Sequence, residues 1–146
     1  MSIDPMNEYL RKLGFENWIR VEENPEKFAE IVKKLPKRTG VYVIRANRTI
    51  ARLKGESSIL YVGQGVIKHR IESHFKYFLP PRFKKWITIK DVTREELWRV
   101  HKELSLNLEF SYILCAGDEA KRIESMILRE YRYYHIEAPP LNYTRE

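Results

Sequence analysis

The chain of 146 residues carries 27 Lys and Arg against 20 Asp and Glu, a formal charge of +7, with 43% hydrophobic and 32% charged residues. That length and apolar share suffice for one buried core without staples or metals; no apolar run approaches the roughly 18 residues of a membrane span, and the first residues lack the charged-then-apolar layout of a secretory leader. The single cysteine, Cys115, excludes an internal disulfide and a cysteine-based zinc site and points to a reducing, cytoplasmic compartment, while the basic surplus favours a polyanionic partner over a membrane.

Residues 1–35 read as an N-terminal helical extension packed on the core. Within it Asn24 caps a helix and Pro25 suits its first turn, with Phe28, Ile31, Val32 and Leu35 at helical spacing until Pro36 ends it. "GVYVI", residues 40–44, alternates as a strand. The polar, arginine-rich residues 46–58 read as a long hairpin excursion, and residues 59–62 as the second strand. Gly63 and Gly65 bracket a sharp turn into a helix over 66–78, whose Ile67, Ile71, His74, Phe75 and Phe78 share one side. The prolines of "LPPRFKKW" end it. Thr93 with Glu96 resembles a capping box opening a short helix to Leu104, and "LNLEFSYILC" reads as a central strand. Asp118 is the expected cap of a last helix, which carries Ala120, Ile123, Ile127, Tyr131 and Tyr134 inward and gives way to coil at "APPLNYTRE". This order predicts an α+β fold, a small three-stranded antiparallel sheet flanked by helices.

Five short segments then stand out: "TGVYVI", "LYVGQG", "KHRIESH", "RIESMILREY" and "PPLNYT". Any one of them arises by chance in many proteins. Taken in this order, on a strand, a strand, two helices and a terminal coil, they resemble the GIY-YIG nuclease family over residues 36–146. The resemblance implies a nuclease-like domain that hydrolyses DNA phosphodiester bonds with Mg²⁺ or Mn²⁺ and leaves a 5′ phosphate and a 3′ hydroxyl. RNA stays open as a substrate. One such site cuts one strand, so double-strand cleavage requires a homodimer, a larger complex or two visits.

Phosphodiester hydrolysis needs an activated water, charge relief on the non-bridging oxygens and stabilisation of the departing 3′ oxygen. Glu124 sits beside the apolar stripe of its helix, where a carboxylate is costly unless compensated; it is either a helix-surface acid paired with Lys121 or Arg129 or, as the resemblance implies, the metal ligand. Arg70 offers a guanidinium fork for the scissile phosphate. His74, one helical turn later, shares its face; it is either a buried histidine bonded to a carbonyl or, by the resemblance, a neighbour of the attacking water. Tyr42 and Tyr61 are amphipathic strand residues on the plain reading. The resemblance makes Tyr42 the proton acceptor and Tyr61 the residue that orients it, with Gly40 and Gly63 permitting close approach and Asn142 tying the terminal coil to the strands.

For nucleic-acid contact the sequence offers Lys68, which meets a phosphate or lowers a tyrosine pKa, and two basic surfaces. Arg48 and Arg52 lie in an insert between the tyrosine motifs that is longer than usual for the family. Lys76, Arg82, Lys84 and Lys85 belong to an aromatic, basic segment suited to phosphate contact. The competing reading keeps the same fold without turnover, as a non-catalytic or partner-dependent nucleic-acid-binding module.

Overall fold

The computed structural model describes residues 4–83 and 90–142. Its sheet has four strands in the order β1-β4-β2-β3, every neighbouring pair antiparallel. They are β1 (Ile19–Arg20), β2 (Thr39–Ala51), β3 (Glu56–Val66) and β4 (Leu108–Leu114). The three-stranded expectation is therefore corrected by β1, two residues that pair through Ile19 with Phe110 and Arg20 with Glu109. A pair so short has no periodicity of its own; its partner strand makes it a strand. The expected excursion at 46–58 is also ordered differently. β2 and β3 continue as a twisted ribbon, with register shifts beside Arg45, until Arg52 N donates to Gly55 O at 2.9 Å. The ribbon extends past the core and carries polar side chains, so alternation in hydrophobicity does not mark it.

Helices cover both faces. On one, Tyr42, Ile44 and Ala46 of β2 pack with α2 (Pro25–Lys33), α3 (Ile67–His74) and α4 (Val92–Glu103) through Phe28, Val32, Ile71, Phe75 and Leu97. On the other, Val41 and Val43 join Ile59 and Val62 against α1 (Pro5–Leu13) and α5 (Gly117–His135) through Met6, Leu10, Ala120, Ile123 and Ile127. The period of two in β2 thus feeds two cores, each fully buried side chain contributing about 1.5–3 kcal/mol. No described helix is long and apolar enough to cross a membrane.

Helix starts follow local chemistry. Asn24 accepts from Lys27 N at 3.1 Å with Pro25 in the first turn, as the sequence predicts. Helix α4 opens earlier than the Thr93 box suggests, because Asp91 accepts from Arg94 N at 3.1 Å and is the cap. Asp118 does not cap α5 either. The helix begins at Gly117 behind Ala116, and Asp118 lies inside the first turn, where its charge faces the positive end of the helix.

Candidate active site

The site begins with register. Tyr42 pairs across the ladder with Gly63, and Tyr61, two residues along β3, points to the same face. Their rings lie 6.1 Å apart. Gly63 is what makes the arrangement fit: a Cβ there would overlap the Tyr42 phenol and the Tyr61 ring. Gly40 meets a different constraint, since a Cβ at that position would overlap the Ile113 carbonyl of β4.

Helix α3 follows β3 directly and is pinned at its start, where Ile67 N donates to Arg38 O at 2.9 Å and Lys68 N to Pro36 O at 3.2 Å. With Ile67 and Ile71 buried, Arg70 and His74 turn toward the phenols. Arg70 Nε donates to the Tyr42 oxygen at 3.3 Å. His74 Nε2 lies 2.6 Å from the same oxygen, and its ring stands edge-on to Tyr61 at 5.3 Å. On its other side His74 Nδ1 is 2.8 Å from Asp91 Oδ2, which also accepts from Ser73 Oγ at 2.8 Å. Arg94 Nε donates to the Ser73 carbonyl at 2.7 Å and ties the starts of these contacts together.

Electrostatics follow the geometry. Burial by itself would raise the Asp91 carboxyl, but the hydrogen bond and charge of His74, with Ser73 and the Arg94 amide, hold it well below the usual carboxylate range. Burial would likewise lower the Arg70 guanidinium, yet the adjoining Tyr42 phenol raises it. Arg70 is only partly buried, whereas Tyr42, Tyr61 and His74 are 0%, 3% and 1% exposed. Arg70 is therefore the member of the cluster that meets solvent most readily.

Four of the expected residues, Tyr42, Tyr61, Arg70 and His74, thus form one cluster, with Asp91 behind it. Glu124 comes from a different helix. It is half-buried on α5, whose Ala120, Ile123 and Ile127 pack on the opposite face of the sheet. Because Gly40 pairs with both Gly65 and Leu114, α3 and α5 leave the same end of the sheet, and α5 packs on β3 and β2. Among the described residues no three His, Cys, Asp or Glu side chains form a metal-holding group. The donor that Glu124 offers is a single hard oxygen ligand, which fits Mg²⁺ or Mn²⁺ keeping most of its waters and does not fit zinc.

Asn142 binds Val62, the neighbour of Tyr61, with both ends of its amide: Oδ1 accepts from Val62 N and Nδ2 donates to Val62 O, each at 2.9 Å. Lys68 joins Lys33, Lys37, His69, Glu72 and Phe83 around an open groove of about 360 Å³ beside α3. Lys33 and Lys37 escaped the sequence reading because they belong to the end of α2 and the loop after it, and only packing of α2 on α3 brings them beside Lys68. The other basic residues are spent differently. Arg48 donates to Leu104 O at 2.6 Å. Arg52, 11% exposed, donates to Ala138 O at 2.7 Å and pairs with Glu137 at 3.1 Å, so it anchors the hairpin to the end of α5. Arg82 forks onto Glu26 at 2.6 and 3.0 Å on the surface. Lys76 is half-buried; Lys84 and Lys85 lie outside the described residues.

Compared with known proteins, the chain matches no family model, no curated protein and no solved structure.

Proposed function

We propose that the protein is a metal-dependent endonuclease acting on DNA, of the GIY-YIG kind its motifs resemble. The observation that carries this reading is the Tyr42 phenol held between His74 Nε2 and Arg70 Nε. A phenol titrates near 10 and is a weak base at neutral pH. Given an imidazole to take its proton and a guanidinium beside its oxygen, it becomes a competent acceptor.

In the proposed reaction a DNA phosphate approaches Arg70, the accessible member, and takes its guanidinium as a fork. Moving toward the phosphate uncovers the Tyr42 oxygen. The phenolic proton passes to His74 Nε2, and the phenolate takes a proton from the attacking water. The new P–O bond forms in line with the departing one, the bond from phosphorus to the 3′ oxygen breaks, and that oxygen takes a proton from solvent, to which the His74 imidazolium then gives up its own. The products are a 5′ phosphate and a 3′ hydroxyl. Tyr61, packed on His74, orients the cluster. Glu124 would hold Mg²⁺ or Mn²⁺, which when bound supplies charge relief to the phosphate and the leaving oxygen.

A second reading, a nucleic-acid-binding module without turnover, is favoured by one observation: Tyr42, the residue that would have to meet the attacking water, is fully buried. Nicking of supercoiled plasmid in Mg²⁺ or Mn²⁺ separates the two. Cutting by the wild type that disappears in Glu124→Ala, with DNA binding retained, supports the enzyme. Binding without cutting in both proteins supports the module and ends the nuclease proposal.

A further inference from the structure

We propose that Asp91 is a positioning residue for this site: by accepting a hydrogen bond from His74 Nδ1–H, it holds the imidazole in the tautomer whose Nε2 receives the phenolic proton of Tyr42. The inference rests on the nuclease reading for its catalytic consequence, and on geometry alone for the tautomer.

An ionised carboxylate can only accept hydrogen bonds. Asp91 Oδ2 lies 2.8 Å from His74 Nδ1, so the hydrogen of a neutral ring resides on Nδ1. Nε2 then carries the lone pair. The Tyr42 oxygen, 2.6 Å away, must donate to it, while its own lone pairs remain for Arg70 Nε at 3.3 Å. Every hydrogen in the chain from Asp91 to Arg70 is thereby assigned a direction. In the other tautomer Nε2–H would donate to the phenol, which would then face two donors, and its proton would have no route to the imidazole.

The carboxylate is held as a positioning group needs to be. Oδ2 also accepts from Ser73 Oγ at 2.8 Å on α3, and Oδ1 accepts from Arg94 N at 3.1 Å at the start of α4. Arg94, 6% exposed, is itself fixed to the Ser73 carbonyl at 2.7 Å and Ser73 Oγ at 3.1 Å. Asp91 is thus locked on both helices before any substrate arrives. Among the described residues, the groups facing His74 include Tyr42 and Tyr61 from the sheet and Asp91 from the α4 cap, with Arg70 behind Tyr42 and Arg94 behind Asp91. Proton accounting is simple: the Tyr42 O–H bond breaks, an Nε2–H bond forms, and Asp91 remains a carboxylate facing an imidazolium.

The test uses the full chain and Asp91→Asn, whose side-chain oxygen still caps α4 while its amide now donates toward Nδ1. Nitrogen NMR of His74 is expected to report the Nδ1–H form in the wild type and a shift to Nε2–H in Asp91→Asn. Plasmid nicking is expected to lose about a hundredfold in kcat with KM for DNA little changed, and Asp91→Glu to recover part of it. Ser73→Ala, which removes one bond to Oδ2 and leaves the cap, is expected to give a smaller change of the same kind should Asp91→Asn fold poorly. An Nε2–H tautomer in the wild type, or wild-type kcat in Asp91→Asn, overturns the inference. Absence of cutting by the wild type overturns the nuclease reading instead, and the NMR result then still decides the tautomer.

Discussion

Tyr42 and His74, 32 residues apart in the chain, share a hydrogen bond of 2.6 Å between the central strand and the helix that covers it. The bond joins a phenol, a weak base on its own, to an imidazole nitrogen placed to take its proton. Tyr42→Phe keeps the ring and its packing and deletes only the oxygen. Cleavage of plasmid DNA should fall by about 10²–10⁴-fold, the usual worth of a positioned acid or base, with DNA affinity unchanged in a filter-binding assay. Wild-type cutting by this variant would remove Tyr42 from the reaction.

Gly63 provides the space in which that bond forms. Gly63→Ala should displace the Tyr42 phenol or force β3 away from β2, costing about 1–3 kcal/mol in urea unfolding and abolishing cutting. Gly117→Ala is the matched control: nothing lies within 4 Å of a Cβ built there, and it begins a helix. That change should be neutral or stabilise by up to about 1 kcal/mol.

What was legible in the sequence is what local chemistry or a buried face determines. Asn24 and Pro25 mark the start of α2, and the alternation through Tyr42 and Tyr61 marks two strands facing one core. The ladder partner that makes Ile19 and Arg20 a strand lies about ninety residues downstream and leaves no trace in those two residues. The ribbon beyond Arg45 buries Ala46, Ser57 and Ser58, small or polar residues that leave no hydrophobic alternation to read. Asp91 was missed for a related reason. Its carboxylate looks like an ordinary cap until α3 and α4 pack and bring against it His74, 17 residues earlier in the chain, and the neighbouring Thr93–Glu96 pair offers a more familiar capping pattern. Arg52 fails in the opposite direction, since a basic hairpin residue looks free for DNA until Glu137 and the Ala138 carbonyl are seen to engage it.

The groove beside α3 gives a prediction about salt. Lys33, Lys37 and Lys68 line it next to the helix that bears Arg70. If each meets one phosphate, replacing all three by Gln should reduce the slope of log affinity against log salt by roughly 2.7. Arg52→Gln should leave that slope unchanged, because its guanidinium is already engaged by the protein, and should instead lower stability. An unaltered slope in the triple variant would place the DNA elsewhere.

Tyr131 supplies a test of the second core that is independent of catalysis. Its hydroxyl is buried on α5 near Asp4, Ser57 and Arg52, and burial, the largest influence, pushes the phenol from 10.0 up to about 12. The folded state therefore resists losing this proton more than the unfolded chain does. The contribution is present in full below pH 10 and is lost as pH rises through about 12, because the unfolded state ionises first and gains stability from doing so. Unfolding followed by tyrosinate absorbance should show a falling midpoint across that window. Tyr131→Phe removes the titrating group, so the part of the alkaline decline that belongs to it should vanish, leaving a flatter profile above pH 10. An identical decline in the variant would show that another group carries the alkaline sensitivity.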